Sequence, residues 1–266
     1  MRVALAQIVS SEDPAANLRL VAEQSEEAAE RGAELVVFPE ATMRAFGHPL
    51  REIAEPVDGP WASAVRRLAE TLGITIIVGM FTPGDGRRVR NTLLVAGPAG
   101  TATYDKLHLF DAFGFAESRT VTPGDEVVTV DVGSTTLGLA TCYDIRFPDL
   151  FTATARAGAV VQVVVASWGA GPGKFEQWEL LARARALDTT SIVLAVGQGD
   201  PITAGVDVVD GAPTGVGGSL VVSPFGEVLH RLGPAPELLV VDLDVTAVDD
   251  ARRTLPVLAN RRDDLI

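Results

Sequence analysis

The sequence has 266 residues, 47% of them hydrophobic, with a mean hydropathy of +0.24 and a formal net charge of −13. This composition predicts a globular protein with a large core and not a disordered chain. Nucleic-acid binding requires clustered lysine and arginine, which this acidic sequence lacks. We therefore expect no nucleic-acid partner and a small molecule as the ligand.

Cysteine and histidine usage predicts neither a disulfide nor a metal site. Cys142 is the single cysteine, and His48, His108 and His230 lack metal-ligand spacing. We expect no metal, no other cofactor, and a reducing cytoplasm as the compartment. The sequence opens on a strand-like run without a signal-peptide pattern, and no apolar run approaches the ~20 residues that cross a bilayer. No membrane partner is expected.

Strand and helix patterns alternate along the first half of the chain. Strands are predicted at residues 3–8, 35–38 and 74–80, and helices at 13–32, opened by Asp13 and Pro14, and at 59–72. This β-α-β-α-β order indicates an α/β sheet with helices on its faces. A predicted hairpin over residues 88–106 then interrupts the alternation.

The second half repeats this plan. Strands are predicted at residues 127–132, 135–140, 160–166, 192–196 and 238–243, helices at 147–157 and 174–188, and a hairpin at 220–230. Two similar halves predict a sandwich of two sheets with outer helices. No linker or low-complexity segment divides the sequence, so we expect one domain over residues 1–266.

Reactive side chains follow three of the predicted strands. Glu40 comes after the strand at 35–38, Lys106 after the strand at 101–105, and Cys142 after the strand at 135–141. Reactive groups of α/β sheets lie beyond the carboxyl ends of strands, so these three are expected to meet. A carboxylate can take the thiol proton, the thiolate can attack a carbonyl carbon, and the ammonium can stabilise the charge on oxygen.

Each of these residues also has a structural interpretation. Free cysteine is often a small buried hydrophobe, an acid after a strand is often a helix cap or a solvated charge, and a lone lysine usually lies in water. Their joint placement at strand ends favours a nucleophilic site, with a helix beginning near Phe147 that would favour a thiolate at Cys142.

Four segments occur in an order that resembles a known family. They are FPEA (38–41), YDKLHLFDAFGFAES (104–118), TCYDIRFPDL (141–150) and WELLARARALD (178–188), and the likeness extends to residues 217–229 and to RRDDL (261–265). Together they resemble the nitrilase, or carbon-nitrogen hydrolase, superfamily. The branch that they resemble most contains omega-amidases and deaminated-glutathione amidases, although Asp149 stands where that branch has glutamate.

The resemblance implies a four-layer α-β-β-α sandwich and a catalytic triad of Glu40, Lys106 and Cys142. It also implies a second glutamate, Glu117, and an oxyanion site formed by Lys106 and the backbone N–H of Tyr143. True nitrilases generally have tryptophan after the cysteine, so Tyr143 speaks against nitrile hydrolysis. At least a homodimer, or a higher homo-oligomer, is implied as well, with the segment 255–266 crossing onto the partner.

Arg146 and Trp168 are the candidates for substrate binding. Arg146 follows the nucleophile by four residues, and its guanidinium could bind a substrate carboxylate with two hydrogen bonds. A pair with Asp144 or Asp149 is an equal alternative. Trp168 could line the pocket or belong to the core, and His108, two residues after Lys106, is expected to be structural.

These residues predict an amidohydrolase that cleaves the C–N bond of a small carboxylate-bearing amide through a cysteine thioester and releases ammonia. One alternative is an N-carbamoyl amine or amino acid hydrolase with the same catalytic residues. Another is a non-catalytic binding protein on an amidase scaffold. The loops at 169–173 and 199–217 are too rich in small residues to identify the substrate.

Overall fold

Two six-stranded sheets share one core in the structure, a computed structural model that describes residues 1–209 and 211–262. The first sheet has the strand order β14 (Glu237–Asp242), β1 (Arg2–Gln7), β2 (Leu35–Val37), β3 (Thr75–Pro83), β4 (Val89–Gly97), β5 (Gly100–Asp105). The second has the order β13 (Val228–Arg231), β12 (Leu220–Val222), β11 (Ile192–Gly197), β10 (Val161–Ala166), β9 (Thr135–Thr141), β8 (Thr129–Val132).

The centre of each sheet is parallel and its edges are antiparallel. β1, β2 and β3 run parallel in the first sheet, and β9, β10 and β11 run parallel in the second. The carboxyl ends of parallel strands lie at one edge of their sheet. The residues that follow β2 and β9, Glu40 and Cys142 among them, therefore leave the sheets at such edges.

Side-chain alternation along the strands divides the core into layers. In β1, Val3 and Leu5 face the core between the sheets, while Ala4 and Ala6 face outward. The first sheet is covered on its outer face by α1 (Pro14–Glu30) and α2 (Pro60–Leu72), and the second by α3 (Pro148–Arg156) and α4 (Lys174–Thr189). The predicted α-β-β-α sandwich is confirmed.

Local signals fix the ends of the first two helices where the sequence predicted them. The Asp13 side chain accepts a hydrogen bond from the Ala15 N–H at 2.9 Å, and Pro14 occupies the first turn of α1. α2 ends at Gly73, whose φ of 68° lies in the left-handed region that glycine adopts without strain.

The chain between Cys142 and α3 differs from the prediction of a helix at 147–157. A 3₁₀ helix, Cys142–Arg146, follows β9 directly, and α3 begins only at Pro148. An unpredicted hairpin of β6 (Asp111–Ala112) and β7 (Phe115–Ala116) also lies between Lys106 and Glu117. Both elements are too short for a periodic pattern to reveal them.

The C-terminal segment packs on its own subunit. α5 (Ala247–Thr254) buries Val248 and Ala251, α6 (Val257–Asn260) contacts α4, and Arg261 bonds to Asp149 at 2.7 Å. The described part of the segment 255–266 thus contacts its own subunit, although α6 buries none of its residues. Residues 263–266, which end the RRDDL motif and the segment 255–266, lie outside the described residues. The homodimer stays a prediction.

The prediction of a single domain over residues 1–266 and that of a cytoplasmic location also stay predictions. Among the described residues, no helix has both the length and the apolar character needed to cross a membrane.

Candidate active site

All seven residues predicted for the site line one cavity of about 560 Å³. They come from both sheets and are Glu40, Lys106, Glu117, Cys142, Tyr143, Arg146 and Trp168. Glu40 follows β2, Lys106 follows β5 and Cys142 follows β9, so the strand-end argument identified the right edge of each sheet.

Two carboxylates and one ammonium form a buried cluster at the base of this cavity. Lys106 Nζ lies 3.1 Å from Glu40 Oε1 and 3.1 and 3.0 Å from the two oxygens of Glu117. Lys106 is 2% exposed, Glu40 1% and Glu117 5%. Buried charges of this kind require partners of opposite charge. Lys106 is the partner of both glutamates, and the cluster of two carboxylates and one ammonium has a net charge of −1.

The Lys106 ammonium keeps its proton in this cluster. Burial would lower the pKa of Lys106, but Glu40, Glu117 and Cys142 together raise it well above its ordinary value. Because the pKa is raised, the ammonium is retained at neutral pH and is lost only as pH rises past the folded-state value. Lys106 is thus a permanent positive charge beside the thiol.

Cys142 lies at the turn between β9 and the 3₁₀ helix. Its φ of 49° places it in the left-handed region, which is uncommon for a residue with a β-carbon. Such strain is found at functional sites where the surrounding structure enforces it. The turn directs the sulfur toward Glu40 and Lys106, the two residues whose charges act most strongly on the thiol.

The resting form of Cys142 is the neutral thiol. Burial raises the pKa of Cys142 well above its ordinary value, Glu40 raises it further, and Lys106 only partly offsets them. The sequence suggested that a helix start would favour a thiolate here. The structure indicates the opposite direction for the Cys142 pKa, because burial, together with Glu40 and Glu117, outweighs the effect of the Lys106 ammonium.

The Glu40 carboxylate is held by three donors. Asn91 Nδ2 donates to Oε1 at 2.7 Å alongside Lys106, and the Ser167 backbone N–H donates to Oε2 at 2.8 Å. Gln198 Nε2 also donates to the Glu40 carbonyl at 2.9 Å. The sequence analysis identified none of Asn91, Ser167 and Gln198.

Asp144 ties the two strand ends together. Its carboxylate accepts from the Tyr104 hydroxyl at 2.6 Å, from the Thr141 N–H at 2.9 Å and from the His108 N–H at 2.8 Å. His108 Nδ1 also lies 2.8 Å from Asp144, and its ring stacks on Phe147 at 3.7 Å. The segment that carries Lys106 is thereby fixed to the residue before Cys142, in agreement with the structural role expected of His108.

Tyr143 and Arg146 belong to the 3₁₀ helix that begins at Cys142. The N–H of Tyr143 lies in its first turn, where backbone donors have no partner within the helix. Arg146 Nη2 donates to Gln177 at 2.8 Å, and its guanidinium lies 5.4 Å from the ring centroid of Trp168. Among the described residues Arg146 forms an ion pair with neither Asp144 nor Asp149, and its role stays a prediction.

Trp168 has both of the positions proposed for it. It lines the cavity, yet it is 5% exposed and its ring lies 5.3 Å from that of Trp178 in the core. Its indole N–H donates to the Lys174 carbonyl at 2.8 Å, which orients the ring under Arg146.

Cations surround the cavity of this acidic protein. Arg51, Arg87, Arg146 and Lys174 line it, whereas its acidic lining residues in the described part of the chain are Glu40 and Glu117. Both acids are already paired with Lys106. The part of the cavity beyond the buried cluster of Glu40, Lys106 and Glu117 therefore favours an anionic ligand. Arg51, Arg87 and Lys174 are scattered in sequence, and no sequence pattern predicted them as lining residues.

The described residues contain no cluster of three or more acidic, histidine or cysteine side chains arranged for a metal ion.

The four-layer sandwich defines the class of protein as the nitrilase-superfamily fold. Nit3 of Saccharomyces cerevisiae, a member of branch 10 of that superfamily, superposes with a TM-score of 0.85 at 26% identity, covering 98% of this chain and 96% of Nit3. Residues 2–253 match the carbon-nitrogen hydrolase family, and the chain belongs to that family. The resemblance drawn from its sequence motifs is confirmed, as is the prediction of an enzyme, a carbon-nitrogen hydrolase.

Two curated relatives align over nearly their full lengths. Hydrolase Rv0480c of Mycobacterium tuberculosis (strain ATCC 25618 / H37Rv) is 61% identical over 271 residues, covering 99% of this chain and 96% of the relative. The deaminated glutathione amidase of Escherichia coli O157:H7 is 35% identical over 252 residues, covering 92% and 91%. The family relationship supports a small-molecule amide as the substrate.

Proposed function

We propose that the chain hydrolyses a carboxylate-bearing amide through a thioester on Cys142 and releases ammonia. The observation that carries the proposal is the buried contact of Lys106 with both Glu40 and Glu117, beside the one thiol of the chain, in a cavity surrounded by cations. Glu40, Lys106, Glu117 and Cys142 are the catalytic residues in this proposal.

Glu40 acts first as a general base. Because the Cys142 pKa is raised, the thiol does not ionise before substrate binds, so its proton passes to Glu40 as sulfur attacks the amide carbon. The negative charge of the Glu40 carboxylate is thereby transferred to the carbonyl oxygen of the substrate. The total charge of the site is unchanged in this step, which avoids creating a further buried ion.

Lys106 and the Tyr143 N–H hold the oxyanion. The ammonium keeps its proton throughout, and a backbone donor in the first turn of a helix has no internal partner to give up. Glu117 contacts Lys106 with both oxygens and accepts from the Phe110 N–H at 2.6 Å. Glu117 therefore keeps the ammonium charged and in place.

The same groups complete the turnover. Protonated Glu40 gives its proton to the departing nitrogen, the C–N bond breaks, and ammonia leaves with the acyl group on sulfur. Glu40, again a carboxylate, then takes a proton from a water molecule that attacks the thioester. Collapse of this second oxyanion releases the carboxylic acid and returns the proton to the thiol.

The cavity supports a substrate with an anionic group beyond the scissile amide. Its volume of about 560 Å³ lies within the range of roughly 300–1,000 Å³ found for sites of drug-sized ligands. The Arg146 guanidinium lies over the Trp168 ring in the cavity wall, with Lys174, Arg51 and Arg87 also in the lining. The E. coli relative is named a deaminated glutathione amidase, which supports a peptide-like amide of this kind.

A substrate panel tests the proposal. We expect amides with a carboxylate a few bonds from the scissile carbon to release ammonia with a kcat/KM about tenfold or more above matched neutral amides, since a hydrogen bond to a charged group contributes about 1.5–3 kcal/mol. Carbon dioxide should not form. Preferred turnover of N-carbamoyl compounds, with ammonia and carbon dioxide released together, would instead establish the carbamoyl hydrolase alternative.

Arg146→Lys is expected to lower kcat/KM for a carboxylate-bearing amide by about tenfold to a hundredfold while a neutral amide is barely affected. Lysine keeps the charge but loses the planar two-donor geometry and the contact with Trp168. Steady-state kinetics on both substrates measure the difference, with Arg67→Lys on the exposed side of α2 as the control. Equal losses for both substrates would mean that Arg146 is structural.

A further inference from the structure

Asn91 contacts both Glu40 and Lys106 of the charged cluster without lining the cavity. Its side chain is 1% exposed, and Nδ2 donates to Glu40 Oε1 at 2.7 Å. Its backbone carbonyl accepts from the Lys106 N–H at 2.9 Å. Asn91 is not among the cavity-lining residues, so it has no place from which to touch a substrate.

Its position in β4 is one that an apolar side chain would ordinarily fill. Asn91 lies on the same strand face as Leu93 and Val95, which belong to the core between the sheets. Its Oδ1 is buried and has no hydrogen-bond partner among the described residues. An unpaired buried acceptor is unfavourable for stability, so the stability of the core does not account for an amide at this position.

The amide donor has a specific effect on Glu40. Oε1 accepts from Asn91 and Lys106 and Oε2 accepts from the Ser167 N–H, while the Cys142 thiol also hydrogen-bonds to the Glu40 carboxylate. An amide fixes the carboxylate without adding a second positive charge, which would reduce its affinity for a proton. Glu40 is therefore held in one orientation and still able to accept the thiol proton.

We propose that Asn91 is a positioning residue that orients Glu40 as the base for Cys142 and fixes the start of the Lys106 segment through its carbonyl. The inference rests on the proposed role of Glu40 as the base. Asn91 acts through Glu40 and Lys106 and takes no part in binding.

Alkylation of Cys142 by iodoacetamide tests this without knowledge of the substrate, because Cys142 is the single cysteine. Asn91→Asp places a second carboxylate against Glu40, and two adjacent carboxylates retain a proton between them. At neutral pH the alkylation rate should fall at least tenfold and recover as pH rises, with the profile shifted upward by about one pH unit or more. In turnover, kcat should fall and KM should change little.

Asn91→Leu removes the amide donor to Glu40 without adding a charge. It is the second variant for the alkylation test and keeps the proposal testable if Asn91→Asp does not fold. We expect a folded protein with at least tenfold slower alkylation at neutral pH and without the upward shift of the pH profile expected for Asn91→Asp. The matched control is Thr82→Val, which breaks the buried 2.8 Å Thr82–Thr92 hydrogen bond between β3 and β4 but leaves Glu40 untouched. It should lower the unfolding temperature and leave the alkylation profile unchanged.

Glu40→Gln separates failure of this inference from failure of the proposed function. If Glu40→Gln abolishes ammonia release from a carboxylate-bearing amide but both Asn91 variants turn over and alkylate like the unaltered protein, Asn91 has no positioning role and Glu40 remains the base. If Glu40→Gln keeps the unaltered turnover, Glu40 is not the base, and the inference fails with the proposed function. A Thr82→Val profile shifted like that of Asn91→Asp would also overturn it, since a general disturbance of β4 would then suffice.

Discussion

Cys142→Ala and Cys142→Ser should each lower ammonia release by a factor of about 10⁴ or more while the protein stays folded. The alanine variant has no nucleophile. The serine variant offers a hydroxyl, which is far harder to deprotonate than the thiol, to a base placed for sulfur. Assay of ammonia from a carboxylate-bearing amide measures the loss, and thermal unfolding checks the fold.

Substrate binding provides the control for these variants. Because the cations of the cavity are untouched, Cys142→Ala should still bind the amide in a calorimetric titration. Binding without turnover assigns the loss to the chemical step. Ammonia release by Cys142→Ala at more than about one hundredth of the original rate would remove Cys142 from the mechanism.

Lys106→Met is expected to lower kcat/KM by a factor of about 10³ or more and to destabilise the fold. The change removes an oxyanion donor, for which losses of about 10²–10³ are typical, and also the shared counter-ion of two carboxylates. Breaking a buried ion pair in this way costs about 3–5 kcal/mol of the free energy of unfolding. Kinetics and denaturant unfolding measure the two effects.

A double variant separates stability from catalysis at this position. Lys106→Met combined with Glu117→Gln removes one of the two unpaired carboxylates, so part of the lost free energy of unfolding should return. Activity should not return, because the ammonium is still absent. If activity recovers together with stability, Lys106 acts only as a structural counter-ion.

The sequence was sufficient to predict the fold because its local and global signals agree. The helix start at Asp13 and Pro14 and the alternation of strand and helix patterns in both halves each indicate the elements that form. The placement of reactive residues after strands brought Glu40, Lys106 and Cys142 to one cavity. Glu117 was reached only through the family resemblance, since the short hairpin before it has no periodic pattern.

What the sequence could not supply depends on distances between remote segments. Asn91 is 51 residues from Glu40 and Ser167 is 127 residues from it, and Ser167 acts through a backbone N–H that no side-chain pattern reveals. The thiol pKa follows from burial and from the sum of three neighbouring charges, so a helix-start argument gave the wrong direction. The cations of the cavity likewise meet only in three dimensions.

Acyl transfer to hydroxylamine tests the thioester on Cys142 most directly. An amide and an ester of the same acid would form the same acyl-enzyme, so in the presence of hydroxylamine both should give hydroxamate and free acid in one common ratio. Cys142→Ala should give no hydroxamate from either substrate. Hydrolysis of the amide without hydroxamate, or with a ratio different from that of the ester, would mean that water attacks the amide directly and would contradict the covalent mechanism.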